Sequence, residues 1–163
     1  MGNVTMIRFL VMDVDGTLTD GKIYMSGQGE LFKAFHVRDG CGIHDILIPS
    51  GIIPVIITGR QSEMLRRRCE ELGIQELYQG VTDKCSKLDQ ILTSSRALYS
   101  EVAYIGDDIN DLACMTIVKE RGGVVGSPAD AVKQVLAIAD FVSDKNGGEG
   151  AVREFIEWLM KNR

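Results

Sequence analysis

Two aspartates near the start of the chain follow the end of a predicted strand, where a binding site is expected. Asp13 and Asp15 follow the apolar run 7–12, and Gly16 and Thr17 come next. If the alternation of a strand persists through its end, both carboxylates face the same side. Gly16 lets the backbone turn sharply and approach a ligand closely. Because ligands bind at the carboxyl ends of strands in open α/β sheets, these residues predict a site at that edge.

Further polar side chains follow other predicted strands or begin predicted helices. They are Thr58, Lys84, Asp107, Asp108 and Asp111. In a doubly wound sheet the carboxyl ends of the strands share one edge, so these side chains can converge on Asp13 and Asp15.

A convergence of this kind has an electrostatic consequence. Each close pair of carboxylates would cost about 4 kcal/mol at an effective dielectric constant of roughly 20. A hard cation offsets that repulsion, and Mg²⁺ prefers a few carboxylate oxygens together with substrate phosphate. Carboxylates, Mg²⁺, a lysine and a hydroxyl suit phosphoryl transfer, in which positioning and charge stabilisation carry most of the catalysis.

The order of elements predicts an α/β fold with a parallel sheet and helices on both faces, because strands and helices alternate along the chain. The predicted strands are 7–12, 52–57, 77–80, 101–105, 123–126 and 141–142. The predicted helices are 41–49, 63–72, 84–93, 112–120 and 151–160, with one more opening at 127–130.

A β-hairpin is predicted directly after the acid pair. Two strand-like runs, 22–25 and 30–37, flank the glycine-rich turn 26–29. The hairpin, at about 20–37, would project over the site as a flap. No insertion is long enough to form a separate cap domain.

Composition and charge exclude several classes of partner. The chain has 163 residues, and we interpret 1–163 as one domain around a single core. A net charge of −5 gives no electrostatic case for binding nucleic acid or a membrane surface. We predict neither a signal peptide nor a membrane span. The cysteines match no zinc pattern and indicate reduced thiols in a cytoplasmic protein.

The motifs DVDGT, Thr58, Lys84 and GDDxND, in this order, resemble the haloacid dehalogenase superfamily of phosphohydrolases. The resemblance implies a Rossmann-like fold. It also implies that Asp13 is the nucleophile that forms an aspartyl-phosphate, and that Asp15 is the acid and base for leaving group and water. Thr58 and Lys84 would contact phosphate, and Lys84 would also steady Asp13.

The same resemblance implies a magnesium site. The side chains of Asp13 and Asp107 and the backbone carbonyl of Asp15 would bind Mg²⁺. Asp108 and Asp111 would be supporting acids that order the surroundings of the metal.

A narrower resemblance covers essentially the whole chain. The segments 35–40, 58–60 and 65–68 and the late run GGEGAVRE are similar to the 3-deoxy-D-manno-octulosonate 8-phosphate phosphatase family. That family implies a capless phosphatase that serves lipopolysaccharide sugar synthesis. It also implies a homotetramer in which a neighbouring subunit helps to close each site, with the glycine run near a subunit interface.

Guanidinium groups suit the carboxylate of a sugar acid because they pair with it in a bidentate manner. The resemblance places Arg38, Arg60 and Arg68 around the sugar acid, although a basic run such as 66–68 is also typical of a solvated helix face. His44 stands at a further contact position, where some relatives carry Arg. The implied substrate loop consists of His36, Val37, Arg38, Asp39 and Gly40.

Three alternatives remain open. A phosphatase for a nine-carbon deaminoneuraminate (KDN) 9-phosphate looks similar but tends to carry Glu where this chain has Arg60. A non-catalytic regulatory domain of the same fold tends to lose the acids that are present here. A two-component receiver uses Asp, Thr and Lys in another order. We therefore predict a Mg²⁺-dependent phosphatase acting on a sugar-acid phosphate.

Overall fold

Six strands form one parallel sheet at the centre of the computed structural model, which describes residues 2–163. Two more strands form a separate antiparallel hairpin. The strands are β1 Phe9–Met12, β2 Tyr24–Ser26, β3 Gly29–Phe32, β4 Ile53–Ile57, β5 Glu76–Tyr78, β6 Val102–Ile105, β7 Val124–Ser127 and β8 Phe141–Val142. The order in the sheet is β5-β4-β1-β6-β7-β8.

Helices cover both faces of this sheet, as the alternation of elements predicts. They are α1 Val37–Cys41, α2 Glu63–Leu72, α3 Lys84–Ser94, α4 Ile109–Glu120, α5 Lys133–Ile138 and α6 Ala151–Asn162. Alternate residues of β1 enter different cores. Leu10 and Met12 pack with apolar side chains of α2 and α6, whereas Phe9 and Val11 pack with those of α3, α4 and α5. The α/β class and the two-sided arrangement are therefore confirmed.

The register of the central strands aligns their carboxyl ends. Met12 of β1 pairs with Ile56 of β4 and with Ile105 of β6. Three polar segments directly follow these strands, namely Asp13, Thr58 and Gly106-Asp107. They therefore lie at the same edge of the sheet.

The first helix begins four residues earlier than predicted. The prediction of a strand over 30–37 and a helix from Cys41 is wrong at this boundary, since β3 ends at Phe32 and α1 begins at Val37. His36 caps the helix, because its Nδ1 accepts a hydrogen bond from the Arg38 backbone N–H at 3.1 Å. The helix continues as a π-helical segment, Gly42–Leu47, and a 3₁₀ turn, Ile48–Ser50.

Helix α4 also begins earlier than predicted, at Ile109 instead of Leu112. Asp108 and Asp111 form a capping box around its first turn. Two acids that were assigned to the metal site from the sequence therefore also cap the start of α4. The pattern of apolar residues alone could not reveal this earlier helix start.

The hairpin of β2 and β3 lies within the predicted 20–37 range. The rings of Tyr24 and Phe32 stack across it, with centroids 4.4 Å apart. Two of its large apolar side chains, Met25 and Leu31, are exposed. No helix within residues 2–163 combines the length and the apolar character needed to cross a membrane.

Candidate active site

A buried lysine joins two aspartates at the carboxyl edge of the sheet. The Lys84 ammonium donates to Asp13 Oδ1 at 2.6 Å and to Asp111 Oδ1 at 2.8 Å. Lys84 is the first residue of α3, a helix capped by the Asp83 carboxylate. Asp13 follows β1 and donates its backbone N–H to the Ile105 carbonyl. The sheet and one helix start therefore place all three charged groups.

The charges of this group determine the protonation of Lys84. Burial by itself would lower the pKa of Lys84, but the charges of Asp13 and Asp111 and their hydrogen bonds outweigh it and raise the pKa above its ordinary value. Lys84 therefore carries its charge, which offsets the charges of the two neighbouring buried carboxylates.

Asp107 completes an acidic cluster with Asp13 and Asp111. One carboxylate oxygen from each lies within 4.8 Å of the other two. Burial raises the pKa of Asp13 to about 6, and the charge of Asp111 adds to that effect. Burial raises the pKa of Asp107 to about 8; a hydrogen bond from Thr17 opposes the rise, and the charges of Asp13 and Asp111 add to it.

This cluster fits a divalent cation. Its donors are carboxylate oxygens only, which hard cations such as Mg²⁺ select. Burial raises the pKa values of Asp13 and Asp107, and the charges of neighbouring carboxylates add to the rise, so a bound cation would stabilise the charged forms. The structure thus brings Asp111 beside the two predicted side-chain ligands, whereas Asp108 is exposed and caps α4. The predicted use of the Asp15 backbone carbonyl stays a prediction.

Asp111 is held from several sides and is fully buried. The hydroxyl of Tyr104, in β6, donates to Asp111 Oδ1 at 2.8 Å. The Asp107 backbone N–H donates to Asp111 Oδ2 at 3.2 Å. A Cβ at Gly106 would lie 2.5 Å from the Asp111 carboxyl carbon. Tyr104 was not identified from the sequence. Its hydroxyl within an otherwise apolar strand was the available signal, because a buried tyrosine hydroxyl usually needs a hydrogen-bond partner.

The loop after Asp13 depends on glycine. Gly16 has a φ of +97°, and a Cβ there would lie 2.0 Å from Asp107 Oδ2. The late glycine run packs against this loop, since the Gly148 N–H donates to the Thr17 carbonyl at 3.1 Å. A Cβ at Gly147 would lie 1.8 Å from the Gly16 carbonyl oxygen. The late glycine run therefore packs against the loop after Asp13 and supports it. Its position at a subunit interface stays a prediction.

Asp15 faces the hairpin instead of the acidic cluster. Lys33, which follows β3, donates to Asp15 Oδ1 at 2.7 Å and to Glu30 Oε1 at 2.9 Å. Arg60 lies on the other side, with Nε 3.9 Å from Asp15 Oδ2 and a terminal nitrogen 3.5 Å from Glu30 Oε2. Lys33 and Glu30 were not identified from the sequence. The available signal was an acidic and a basic residue three positions apart on the predicted hairpin, which directly follows the acid pair Asp13 and Asp15.

Proteins of known structure and sequence resemble this chain along almost its whole length, although no family model matches it. The 3-deoxy-D-manno-octulosonate 8-phosphate phosphatase KdsC of Yersinia pestis is 45% identical over 154 residues, which are 94% of this chain and 80% of that protein. The chain belongs to this phosphatase family.

Solved structures agree with the sequence comparison. The phosphatase of the same name from Moraxella catarrhalis, in complex with magnesium ion, phosphate ion and KDO, has a TM-score of 0.91 and 40% identity, and the match covers 99% of this chain and 90% of that one. A protein from Legionella pneumophila, described as a haloacid dehalogenase superfamily (subfamily III A) hydrolase, has a TM-score of 0.89 and 36% identity over 98% of this chain and 85% of that one.

The phosphatase family resemblance also marks Thr58 and Arg60, and both lie at the same sheet edge as Asp13. Thr58 directly follows β4, is buried, and donates its backbone N–H to the Tyr78 carbonyl at 3.0 Å. Its carbonyl accepts from the Val81 N–H at 3.0 Å, and the Arg60 carbonyl accepts from Gly80 at 3.3 Å. Hydrogen bonds from the segment after β5 therefore fix the position of the loop that contains Thr58 and Arg60.

The substrate loop of the phosphatase family has a structural task in this chain. Asp39 is buried, and its Oδ1 accepts a hydrogen bond from the Arg153 backbone N–H, at the start of α6, at 2.9 Å. Burial raises the pKa of Asp39. A Cβ at Gly40 would lie 2.3 Å from a terminal nitrogen of Arg68. Asp39 and Gly40 therefore fix how α1 packs against α6 and α2.

The remaining predicted substrate residues lie away from the acidic cluster. Arg38 lines a surface groove with Lys145 and Arg153. Arg68 donates to Glu71 at 3.1 Å. Three more residues lie at the surface or cap α1: the exposed Val37, the exposed His44, which pairs with Asp45, and His36. Within the part of the chain that the structure describes, none of them forms a hydrogen bond or ion pair with the predicted catalytic residues.

Proposed function

We propose that this chain hydrolyses 3-deoxy-D-manno-octulosonate 8-phosphate to the free sugar acid and phosphate, with Mg²⁺ as cofactor. The observation that carries the proposal is the buried Asp13–Lys84–Asp111 group beside Asp107 at the sheet edge. An acidic cluster with one buried lysine suits phosphoryl transfer better than it suits any role in stability, because burying charges is costly.

In the proposed reaction Asp13 attacks phosphorus, and the bond from phosphorus to the sugar oxygen breaks. Asp15 gives its proton to the leaving sugar oxygen. Asp15 then takes a proton from water, which attacks the aspartyl-phosphate and releases phosphate from Asp13. Lys84 and Thr58 hold the phosphoryl oxygens. Asp13, Asp107 and the Asp15 carbonyl would hold Mg²⁺, which when bound would supply positive charge near the phosphoryl group.

Recognition of the sugar acid is assigned to the cationic residues around this centre. Arg60 lies 3.9 Å from Asp15 and is half exposed, so it can turn to a substrate carboxylate. The other substrate contacts proposed are Arg38, Arg68, His44 and the loop His36, Val37, Arg38, Asp39 and Gly40. Several of them lie at the surface, which suits contacts made with the substrate bound to another subunit.

We therefore also propose a homotetramer in which a neighbouring subunit closes each site. Exposed apolar side chains support it, since Met25 and Leu31 of the hairpin are 62% and 61% exposed and Val37, at the start of α1, is 70% exposed. Exposed apolar patches mark interaction surfaces. In this proposal residues 1–163 are one hydrolase domain, and the hairpin at about 20–37 is its flap.

The proposed setting is cytoplasmic synthesis of the lipopolysaccharide sugar acid. Each of the four cysteines is a free thiol, a state that a reducing compartment maintains. The names of the relatives, which state the eight-carbon substrate, support the assignment to this sugar.

The test is phosphate release in Mg²⁺ with the eight-carbon and the nine-carbon (KDN) sugar-acid phosphates side by side. Asp13→Asn serves as the inactive control. We expect a strong preference for the eight-carbon substrate. A preference for the nine-carbon substrate would keep the chemistry but contradict the proposed substrate. No release from either would contradict the proposed activity.

A further inference from the structure

Lys33 is an unusual residue for a surface hairpin, because it is buried and charged at the same time. Its side chain is only 3% exposed, although it follows an exposed strand. Its ammonium group donates to two carboxylates, Asp15 at 2.7 Å and Glu30 at 2.9 Å. Burial alone would lower the pKa of Lys33, but the hydrogen bonds to Asp15 and Glu30 outweigh it and raise the pKa.

The two ends of this contact come from different parts of the fold. Asp15 belongs to the loop after β1, at the edge of the central sheet, and Lys33 belongs to the separate hairpin. Lys33 is therefore a direct polar link between the hairpin and the proposed acid and base. Glu30 holds Lys33 from the hairpin side and lies 3.5 Å from Arg60.

We infer that Lys33 is a positioning residue that holds the Asp15 side chain in the orientation from which it serves the leaving group. The inference rests on the proposed function, since it takes Asp15 as the acid and base. Lys33 donates to Asp15 Oδ1, whereas Oδ2 has only the longer contact with Arg60, at 3.9 Å. A carboxylate fixed at one oxygen has fewer orientations than one that rotates freely, and misplacement of a catalytic group by about 1 Å can cost about 100-fold in rate.

Removal of Lys33 would also leave Asp15 and Glu30 with only the longer contacts of Arg60, at 3.9 and 3.5 Å, between them. Like charges repel, so the Asp15 side chain would lose its present orientation. The effect on catalysis would therefore pass through Asp15 and spare Asp13, which Lys84 holds separately.

The test exploits a property of the leaving group. Departure of an alkyl alcohol requires a proton from Asp15, whereas departure of 4-nitrophenolate requires none. The ratio kcat/KM reports the steps up to release of the leaving group. We expect Lys33→Met to lower kcat/KM for the sugar-acid phosphate about 100-fold. We expect its kcat/KM for 4-nitrophenyl phosphate to stay within about threefold of the wild-type value.

Lys22→Met is the matched control, because Lys22 lies on the same hairpin but is exposed. It should change neither ratio. An equal loss on both substrates in Lys33→Met would mean that Lys33 has a structural role only, and no loss on either would remove it from the reaction. If Lys33→Met does not fold, as judged by circular dichroism, Lys33→Gln carries the same test.

Failure of the proposed function can be told apart from failure of this inference. Wild-type chain that is inactive on the sugar-acid phosphate contradicts the function. The comparison of leaving groups then proceeds with another alkyl phosphomonoester that the wild-type chain hydrolyses.

Discussion

The acidic cluster and the hairpin side of the site are built in opposite ways. Asp13, Lys84 and Asp111 are buried, and each is attached to a strand or helix of the central core. Arg60 is half exposed, and its ion-pair distances of 3.5 and 3.9 Å are longer than the 2.6 and 2.8 Å contacts of Lys84. One region is complete within a single chain, and the other has room to rearrange around a substrate.

The difference indicates a division of work. Groups that perform the chemistry must be oriented before the substrate arrives, which burial within a core achieves. Groups that recognise a sugar acid must exchange their present partners for the substrate, so weaker and more exposed contacts suit them. Changes in the first region should abolish reaction or folding, and changes in the second should alter the choice of substrate.

The largest effect is expected from Asp13→Asn. Loss of the nucleophile should reduce turnover on every phosphomonoester by about 10⁴-fold or more. The protein should stay folded, because the Asn side-chain oxygen can still accept from Lys84 and one of the repelling charges is removed. Phosphate release and thermal unfolding measure the two parts. Turnover near the wild-type rate would remove Asp13 from the role of nucleophile.

Lys84→Met should damage stability as well as activity. It leaves Asp13 and Asp111 buried together without their shared cation, and breaking a buried ion pair costs about 3–5 kcal/mol. Urea unfolding measures the loss in free energy. Lys133→Met is the matched control, since Lys133 is also the first residue of a helix but is exposed. Equal stability of the two variants would contradict the view that Lys84 neutralises a buried cluster.

Arg60→Ala should separate recognition from chemistry. A charge-assisted hydrogen bond is worth about 1.5–3 kcal/mol, so kcat/KM for the sugar-acid phosphate should fall about 10- to 100-fold. A generic aryl phosphate lacks the carboxylate and should be affected by less than about threefold. Steady-state kinetics on both substrates measure the contrast. A similar loss on both would show that Arg60 supports the centre and does not read the carboxylate.

A further effect is expected in the pH dependence of stability without metal. The pKa of Asp107 is raised from 3.8 to about 8, and that of Asp13 to about 6. The folded protein therefore keeps protons that the unfolded chain releases above about pH 4, and its stability should fall as pH rises through this range. Thermal unfolding in a chelator at about pH 5.5 and about pH 8 measures the fall.

Mg²⁺ should reverse that trend, because it binds the deprotonated carboxylates. Its stabilising effect should grow with pH and be much weaker in Asp107→Asn. Stabilisation by Mg²⁺ that does not change with pH would place the cation somewhere other than this cluster.

The sequence by itself determined the fold class and which polar residues meet at the carboxyl edge of the sheet. Alternation of apolar runs with helical segments is a local property that the chain displays directly, and it led to the sheet and its helices. The acids after β1 and β6, Thr58 after β4 and Lys84 at the start of α3 could all be assigned to one edge, because parallel strands end together.

The resemblance implied that Lys84 contacts Asp13, but tertiary structure decided most of the other partners of these groups. Lys84 and Asp13 are 71 residues apart, and Asp39 and the Arg153 N–H are 114 apart. Local signals drew attention to Lys33 and Tyr104 only in hindsight, and which carboxylate each one contacts depends on how the hairpin, the loop after β1 and the start of α4 pack. Asp39 is an example. The family resemblance implied that it contacts the substrate, and in the fold its carboxylate also accepts a hydrogen bond from the Arg153 N–H in the first turn of α6. Periodicity specifies the elements, and only their packing specifies which polar atoms meet.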